Sequence, residues 1–162
     1  MKFKLFIFII LSFFETFSYA QENESNIIIL VDGNIVKYTN GKIIYKESSG
    51  IEKSVDVKII PGRVQINSSD YQELLLKNID KIYLKFDYSE NCNEKTEYYS
   101  YEIEDFKLNW LKSDYIILNV YNTNKSKSTQ IYNPLPGKKY TYEYEYPGGA
   151  MKRVKKKIPK CN

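Results

Sequence analysis

Three acidic residues, Glu102, Glu104 and Asp105, sit close together in a chain of 162 residues. In an extended segment Glu102 and Glu104 share one face, with Asp105 beside them. Paired carboxylates at such spacing can act as general acid and general base, as they do in glycosidases. The plainer reading is an ordinary solvated strand face. Histidine-dependent chemistry is excluded by composition, because the chain contains no histidine. Ser-His-Asp and Cys-His catalysis and most zinc sites need that residue. The two cysteines, Cys92 and Cys161, are too few for a thiolate cluster.

A second group of oxygen ligands, Asp87, Ser89, Asn91 and Asn93, falls at alternate positions, as at the start of a calcium loop. Cys92 stands where that loop needs its turn glycine, and Tyr98 stands where it needs its bidentate glutamate. No metal and no cofactor are therefore expected.

Aromatic surface is the stronger candidate. The chain carries 16 tyrosines and a single tryptophan. Tyrosine rings build flat sugar- or peptide-binding platforms at small entropic cost. Tyr98, Tyr99 and Tyr101 cannot all point inward from one strand, so they and Trp110 are the candidate binding residues. Tyrosine is also a common structural residue of strands. Six basic residues close the chain: Lys152, Arg153, Lys155, Lys156, Lys157 and Lys160. They could dock on an acidic partner, or they could be the charged edge strand that blocks edge-to-edge pairing.

The elements that must position these residues are short strands. Asn26 to Val31 is β-branched and apolar, Asp32-Gly33 is a turn signal, and Ile35 to Tyr38 resumes the extended pattern. Asn40-Gly41 is the strongest hairpin dipeptide, and Lys42 to Lys46 follows as its return strand. Val55, Val57 and Ile59 alternate with polar residues, Pro61-Gly62 turns the chain, and Val64 and Ile66 continue it. Ser68-Ser69-Asp70 forms a helix N-cap, which predicts one short helix near 70–78. Ile82 to Tyr88, Thr96 to Glu104, Phe106 to Trp110 and Tyr115 to Tyr121 then read as further strands. The pattern predicts an all-β fold, an antiparallel β-sandwich.

Near the end, Tyr140, Tyr142, Tyr144 and Tyr146 alternate with Thr141, Glu143 and Glu145. A Pro147-Gly148-Gly149 connection would set Tyr144 opposite Lys152 and Glu143 opposite Arg153, a register favoured by cross-strand charge. The segment Leu135-Pro136-Gly137-Lys138-Lys139-Tyr140 resembles the leucine, proline-glycine and tyrosine corner of fibronectin type III and related immunoglobulin-like sandwiches. Its leucine sits one place closer to the proline. The resemblance implies an immunoglobulin-like sandwich whose tyrosine hydroxyl bonds back to the backbone near the corner.

Residues 1–20 read as a secretory signal peptide: a basic Met1-Lys2-Phe3-Lys4, an apolar run from Leu5 to Phe14, and Ser18-Tyr19-Ala20 before the cleavage point. The run of about ten residues is too short to span a bilayer. No cysteine sits just after the cleavage point, so a lipoprotein anchor is not indicated. Residues 21–162 then form a single domain, secreted or periplasmic, with no stable membrane insertion after cleavage. Of 24 basic and 20 acidic residues, 22 and 19 remain after the leader, and setting aside the six at the end leaves 16 against 19. The body is thus mildly acidic, and export makes nucleic acid an unexpected partner for the basic end. In an exported chain, Cys92 and Cys161 are expected to form a disulfide. It would close a loop of about seventy residues and contribute ~4 kcal/mol in the chain-entropy view. The functional expectation is a non-catalytic binding or interaction module for protein or glycan. The alternatives are a small exported hydrolase using Glu102, Glu104 or Asp105, and a structural or inhibitory protein docking through its basic end.

Overall fold

The computed structural model describes residues 22–92, 95–125, 131–149 and 152–154. In chain order its strands are β1 (Glu22–Ser25), β2 (Ile27–Val31), β3 (Asn34–Ile35), β4 (Thr39–Glu47), β5 (Glu52–Ile60) and β6 (Arg63–Asn67). Helix α1 (Ser68–Leu76) intervenes, followed by β7 (Ile79–Cys92), β8 (Lys95–Ile103), a 3-10 helix (Leu108–Lys112), β9 (Ile116–Asn122) and β10 (Tyr140–Glu145). They form a six-stranded sheet in the order β1-β6-β5-β4-β7-β8 and a four-stranded sheet in the order β10-β9-β2-β3. Every pairing is antiparallel except that of β2 with β9.

The sandwich follows from two-residue alternation. Ile27, Ile29 and Val31 of β2 point inward beside Ile116, Leu118 and Val120 of β9, their partners in register. Val55, Val57 and Ile59, then Val64 and Ile66, then Leu84 and Phe86 supply the facing layer, and all join one buried cluster. Each such side chain contributes roughly 1.5–3 kcal/mol on burial. The all-β sandwich is as the sequence predicts. Its strand order, six against four with one parallel pair, differs from the four-on-three Greek key of immunoglobulin-like domains.

Four local expectations are corrected. Asn40-Gly41 is no turn but lies within β4. A Cβ on Gly41 would stand 2.9 Å from the Lys85 carbonyl oxygen and 3.2 Å from Val57 and Ile59 side-chain carbons. The glycine therefore allows β7 and the core to approach, which a dipeptide pattern cannot distinguish from a hairpin. The β4–β5 turn lies instead at Glu47 to Ile51, with Gly50 at φ 85°. Helix α1 starts earlier than expected, because the Asn67 side chain accepts from the Ser69 N–H at 3.0 Å. Phe106 to Trp110 is not a strand: Leu108 to Lys112 coils so that Trp110 and Leu111 both enter the core. Finally, the Tyr140 hydroxyl does not close a local corner. It accepts from the Glu102 N–H at 2.8 Å and donates to the Glu102 carbonyl at 3.0 Å, joining the two sheets.

The closing register holds at its described pair, Tyr144 opposite Lys152. Tyr140, Tyr142 and Tyr144 enter the core, as alternation requires. Thr141 and Glu143 on the other face are buried too. Glu143 accepts from the Tyr121 hydroxyl at 2.6 Å, Arg153 stands 3.7 Å from it, and Tyr132 stacks on Tyr121 at 4.0 Å.

Candidate functional site

The three carboxylates proposed for acid–base work are occupied. The Lys138 ammonium lies 3.4 Å from both Glu102 and Glu104. Burial pulls the Lys138 pKa down, but the Tyr140 and Glu102 charges more than offset this, and the net shift is upward. Asp105 accepts from the Tyr142 hydroxyl at 2.9 Å and pairs with Lys152, whose ammonium lies over the Tyr142 ring at 4.6 Å. These contacts tie β8 and the turn after it to β10. They account for the three residues as a seam between the sheets.

The aromatic candidates separate into two pairs. Trp110 is 2% exposed, edge-on to Phe106 at 5.5 Å and against Tyr144 at 4.6 Å. Tyr101 is equally buried, edge-on to Tyr140 at 5.0 Å and beside Phe86 at 5.5 Å. Neither presents a face to solvent, so both leave the set of surface binding residues. Alternation sends Tyr101 inward, and the 3-10 helix does the same for Trp110. Tyr98, by contrast, is 80% exposed, and Tyr99 is half-buried, stacked on Tyr101 at 6.2 Å.

Tyr98 and Tyr99 stand on an arm. β4 pairs with β7 only from Gly41–Phe86 to Glu47–Ile79, whereas β7 and β8 stay paired out to Cys92–Lys95. Residues 87–92 and 95–100 thus project as a two-stranded ribbon. On its β7 side the chain from β3 into β4 runs alongside, pinned where the Thr39 hydroxyl donates to the Asp87 carbonyl at 2.8 Å. A groove of about 370 Å³ lies there, lined among others by Ile35, Tyr38, Tyr88 and Glu90. Tyr38 is 83% exposed. On the β8 side a groove of about 520 Å³ is lined by Glu97, Tyr98, Tyr99, Asn124 and Lys125.

A charged lock holds the arm to the body. Lys125 pairs with Glu90 on the arm and, at 3.0 Å, with Asp32 on the body. Asp32 also accepts from the Asn122 N–H at 2.9 Å. It is placed there by the tight β2–β3 turn, with Asp32 at φ 50° and Gly33 at φ 85°, the geometry of a type I′ hairpin. Burial alone would lower the Lys125 pKa, but the Glu90 and Asp32 carboxylates outweigh it and drive it upward. The Tyr99 hydroxyl donates to Glu97, and this bond, helped by burial, pushes the phenol up to about 12. The Tyr101 phenol below is also shifted up, by burial first and then by the Asp32 charge.

Sequence reasoning found Tyr98 and Tyr99 but missed Tyr38, Asp32 and Lys125. Asp32-Gly33 was legible as a turn. Its partner Asn122 lies 90 residues away, and local pattern carries no trace of that. Ile35 to Tyr38 reads as extended in the sequence, but β3 ends at Ile35 and Tyr38 falls between strands. Asp87, Ser89 and Asn91 lie along a single strand, Asn93 lies outside the described residues, and among the described residues no group of three or more His, Cys, Asp or Glu side chains is placed to hold a metal ion. The disulfide expected between Cys92 and Cys161 lies outside the described residues, as do Lys155, Lys156, Lys157, Lys160 and the 1–20 segment.

A larger groove of about 670 Å³ lies on the outer face of the six-stranded sheet, lined by Glu22, Asn40, Lys42, Asp56, Lys58 and Gln65 among others. Its lining has both charge signs and no aromatic ring. No helix among the described residues is long and apolar enough to cross a membrane. No protein family, curated protein or solved structure matches the chain.

Proposed function

We propose that this chain is an exported, non-catalytic binding module that takes a protein or glycan partner at the arm of β7 and β8. One observation carries the reading: Tyr38 and Tyr98, about four-fifths exposed, flank an arm with a groove on each side. A large ring left in water at a rigid support is a contact residue waiting for a surface, since aromatic anchors dominate binding energy. The Lys125 lock supplies the rigidity, and Glu90, Glu97 and Lys125 supply polar groups beside the rings. Export rests on the leader-like residues 1–20. The hydrolase alternative loses its motivation, because Glu102, Glu104 and Asp105 are engaged by Lys138, Lys152 and Tyr142.

A glycan array probed with the mature chain and with a Tyr38→Ala/Tyr98→Ala variant tests this reading. Specific glycan hits that weaken at least about fivefold in the variant support it, as expected for loss of aromatic anchors worth ~1 kcal/mol or more. Hits unchanged by the double substitution would refute the assigned site. Turnover on a hydrolase panel that is lost in Glu104→Gln would refute the non-catalytic reading.

A further inference from the structure

β8 is the last strand of its sheet, and among the described residues no strand pairs with its far side. The phase of its ladder is fixed at two points. The Tyr140 hydroxyl takes both the N–H and the carbonyl of Glu102, so Glu102 points its backbone groups away from β7. The Asp87 carbonyl, opposite Ser100, accepts from the Thr39 hydroxyl on the β4 side of β7. Ser100 therefore points its backbone groups outward as well. In an antiparallel ladder the direction alternates, so Tyr98 and Thr96 do the same. All three are exposed. The open run is thus Thr96 to Ser100, and it ends where Tyr140 holds Glu102.

Such an edge is a template for another strand, and proteins blunt it with lysine, proline or a bulge. Thr96 to Ser100 contains no lysine and no proline, and its pairing with β7 runs without a register shift. A large exposed ring, Tyr98, stands at its centre.

We propose that this edge is a dimer interface, occupied by the β8 edge of a second copy of this chain, antiparallel about a two-fold axis at Tyr98. The argument is self-complementarity. A two-fold contact sets residue i of one copy against residue j of the other, and j against i. With the axis at Tyr98, Thr96 of each copy lies opposite Ser100 of the other, and Tyr98 meets Tyr98. The whole open run maps onto itself. These are the residues whose backbone groups point outward, so the three pairs exchange about six hydrogen bonds.

The side chains select the same register. On one face the two Tyr98 rings form an aromatic pair across strands. Thr96 and Ser100 flank them. The Thr96 hydroxyl donates to Asn91 at 2.9 Å and keeps its lone pairs for the Ser100 hydroxyl of the other copy. On the other face Glu97 lies opposite Tyr99, the residue type its carboxylate already accepts from within the strand. Moving the axis to Tyr99 sets Thr96 against the closed Glu102. Moving it to Glu97 sets two carboxylates directly opposite, which is destabilising. The ladder is shorter than a standard interface, so the dimer forms and dissociates with concentration. The groove that holds Tyr38 lies along the other edge of the arm and stays open. The inference therefore does not rest on the binding reading.

Sedimentation equilibrium of the mature chain and of Ser100→Pro, from micromolar to millimolar concentration, tests it, with amide exchange at both ends of the range. The Ser100 N–H points away from β7, the orientation in which an edge strand accepts proline. Expected is a monomer–dimer equilibrium that weakens at least about tenfold in the variant. The Tyr98 and Ser100 amides should exchange more slowly at high concentration, with Tyr142 unchanged. If the variant does not fold, the wild-type exchange decides alone. Three results overturn the proposal. One is a monomer throughout the range. Another is a dimer equally strong in Ser100→Pro, which places the contact elsewhere. The third is protection of Tyr98 and Ser100 that is independent of concentration, which assigns the edge to the chain itself.

Discussion

Replacing Tyr140 by Phe removes one oxygen and leaves the ring on Tyr101. That oxygen serves two backbone groups of a strand in the opposite sheet, at 2.8 and 3.0 Å from Glu102. A typical hydrogen bond contributes a net 0.5–1.5 kcal/mol, and a buried group left unpaired costs more. Glu102 is only partly buried, so water takes up part of the loss. Tyr140→Phe should therefore cost about 1–2 kcal/mol in all. For a chain of this size that lowers Tm by roughly 3–8 °C. Urea unfolding followed by Trp110 fluorescence should show a lower midpoint with the slope unchanged, since the exposed area on unfolding is the same. Amide exchange adds the residue-level test, because Glu102 should speed up while the Leu135 to Lys138 turn does not. An unchanged midpoint would refute the reasoning. So would faster exchange confined to that turn, which is the outcome a local tyrosine corner predicts.

Two further outcomes follow from the same structure. Gly41→Ala should destabilise by about 1–3 kcal/mol through overpacking against Lys85, Val57 and Ile59; a stabilised variant in thermal melts would contradict the packed-strand assignment. Alkaline pH should unfold the protein cooperatively. Tyr99 ionises only near about 12, and burial holds Tyr101, Tyr121 and Tyr142 up as well. In the unfolded chain tyrosine ionises near 10. Between those values the folded state binds more protons, so stability falls as pH rises from about 10. Phenolate absorbance should appear together with loss of the far-UV strand signal, and free ionisation of all tyrosines at pH 10 in a folded protein would contradict their burial.

The sandwich was legible because its strands are amphipathic at period two. Val55, Val57 and Ile59, or Ile82 to Tyr88, announce their buried faces without reference to anything else. The closing register at Tyr144 and Lys152 was legible for the same reason, aided by charge. What failed was whatever depends on partners distant in sequence. Gly41 looks like half of a hairpin dipeptide until β7 is placed beside it. Tyr140 looks like a local corner until its hydroxyl is found on β8. Trp110 follows an alternating pattern, yet its helix turns it into the core. Thr141 and Glu143 look solvent-facing by alternation, but Tyr121, Tyr132 and Arg153 gather over the outer face of β10. At the candidate site the exposed tyrosines were partly legible. The lock beneath them was not, because Asp32, Glu90 and Lys125 come from three separate elements.

The site assignment is tested most directly by mapping amide chemical shifts as a glycan or peptide ligand from the binding screen is titrated in. The account predicts perturbations concentrated at residues 35–38, 88–91, 97–99 and 124–125, and absent from a Tyr38→Ala/Tyr98→Ala variant. Perturbations centred on Lys42, Asp56 and Lys58 of the outer sheet face, with the arm unmoved, would contradict it.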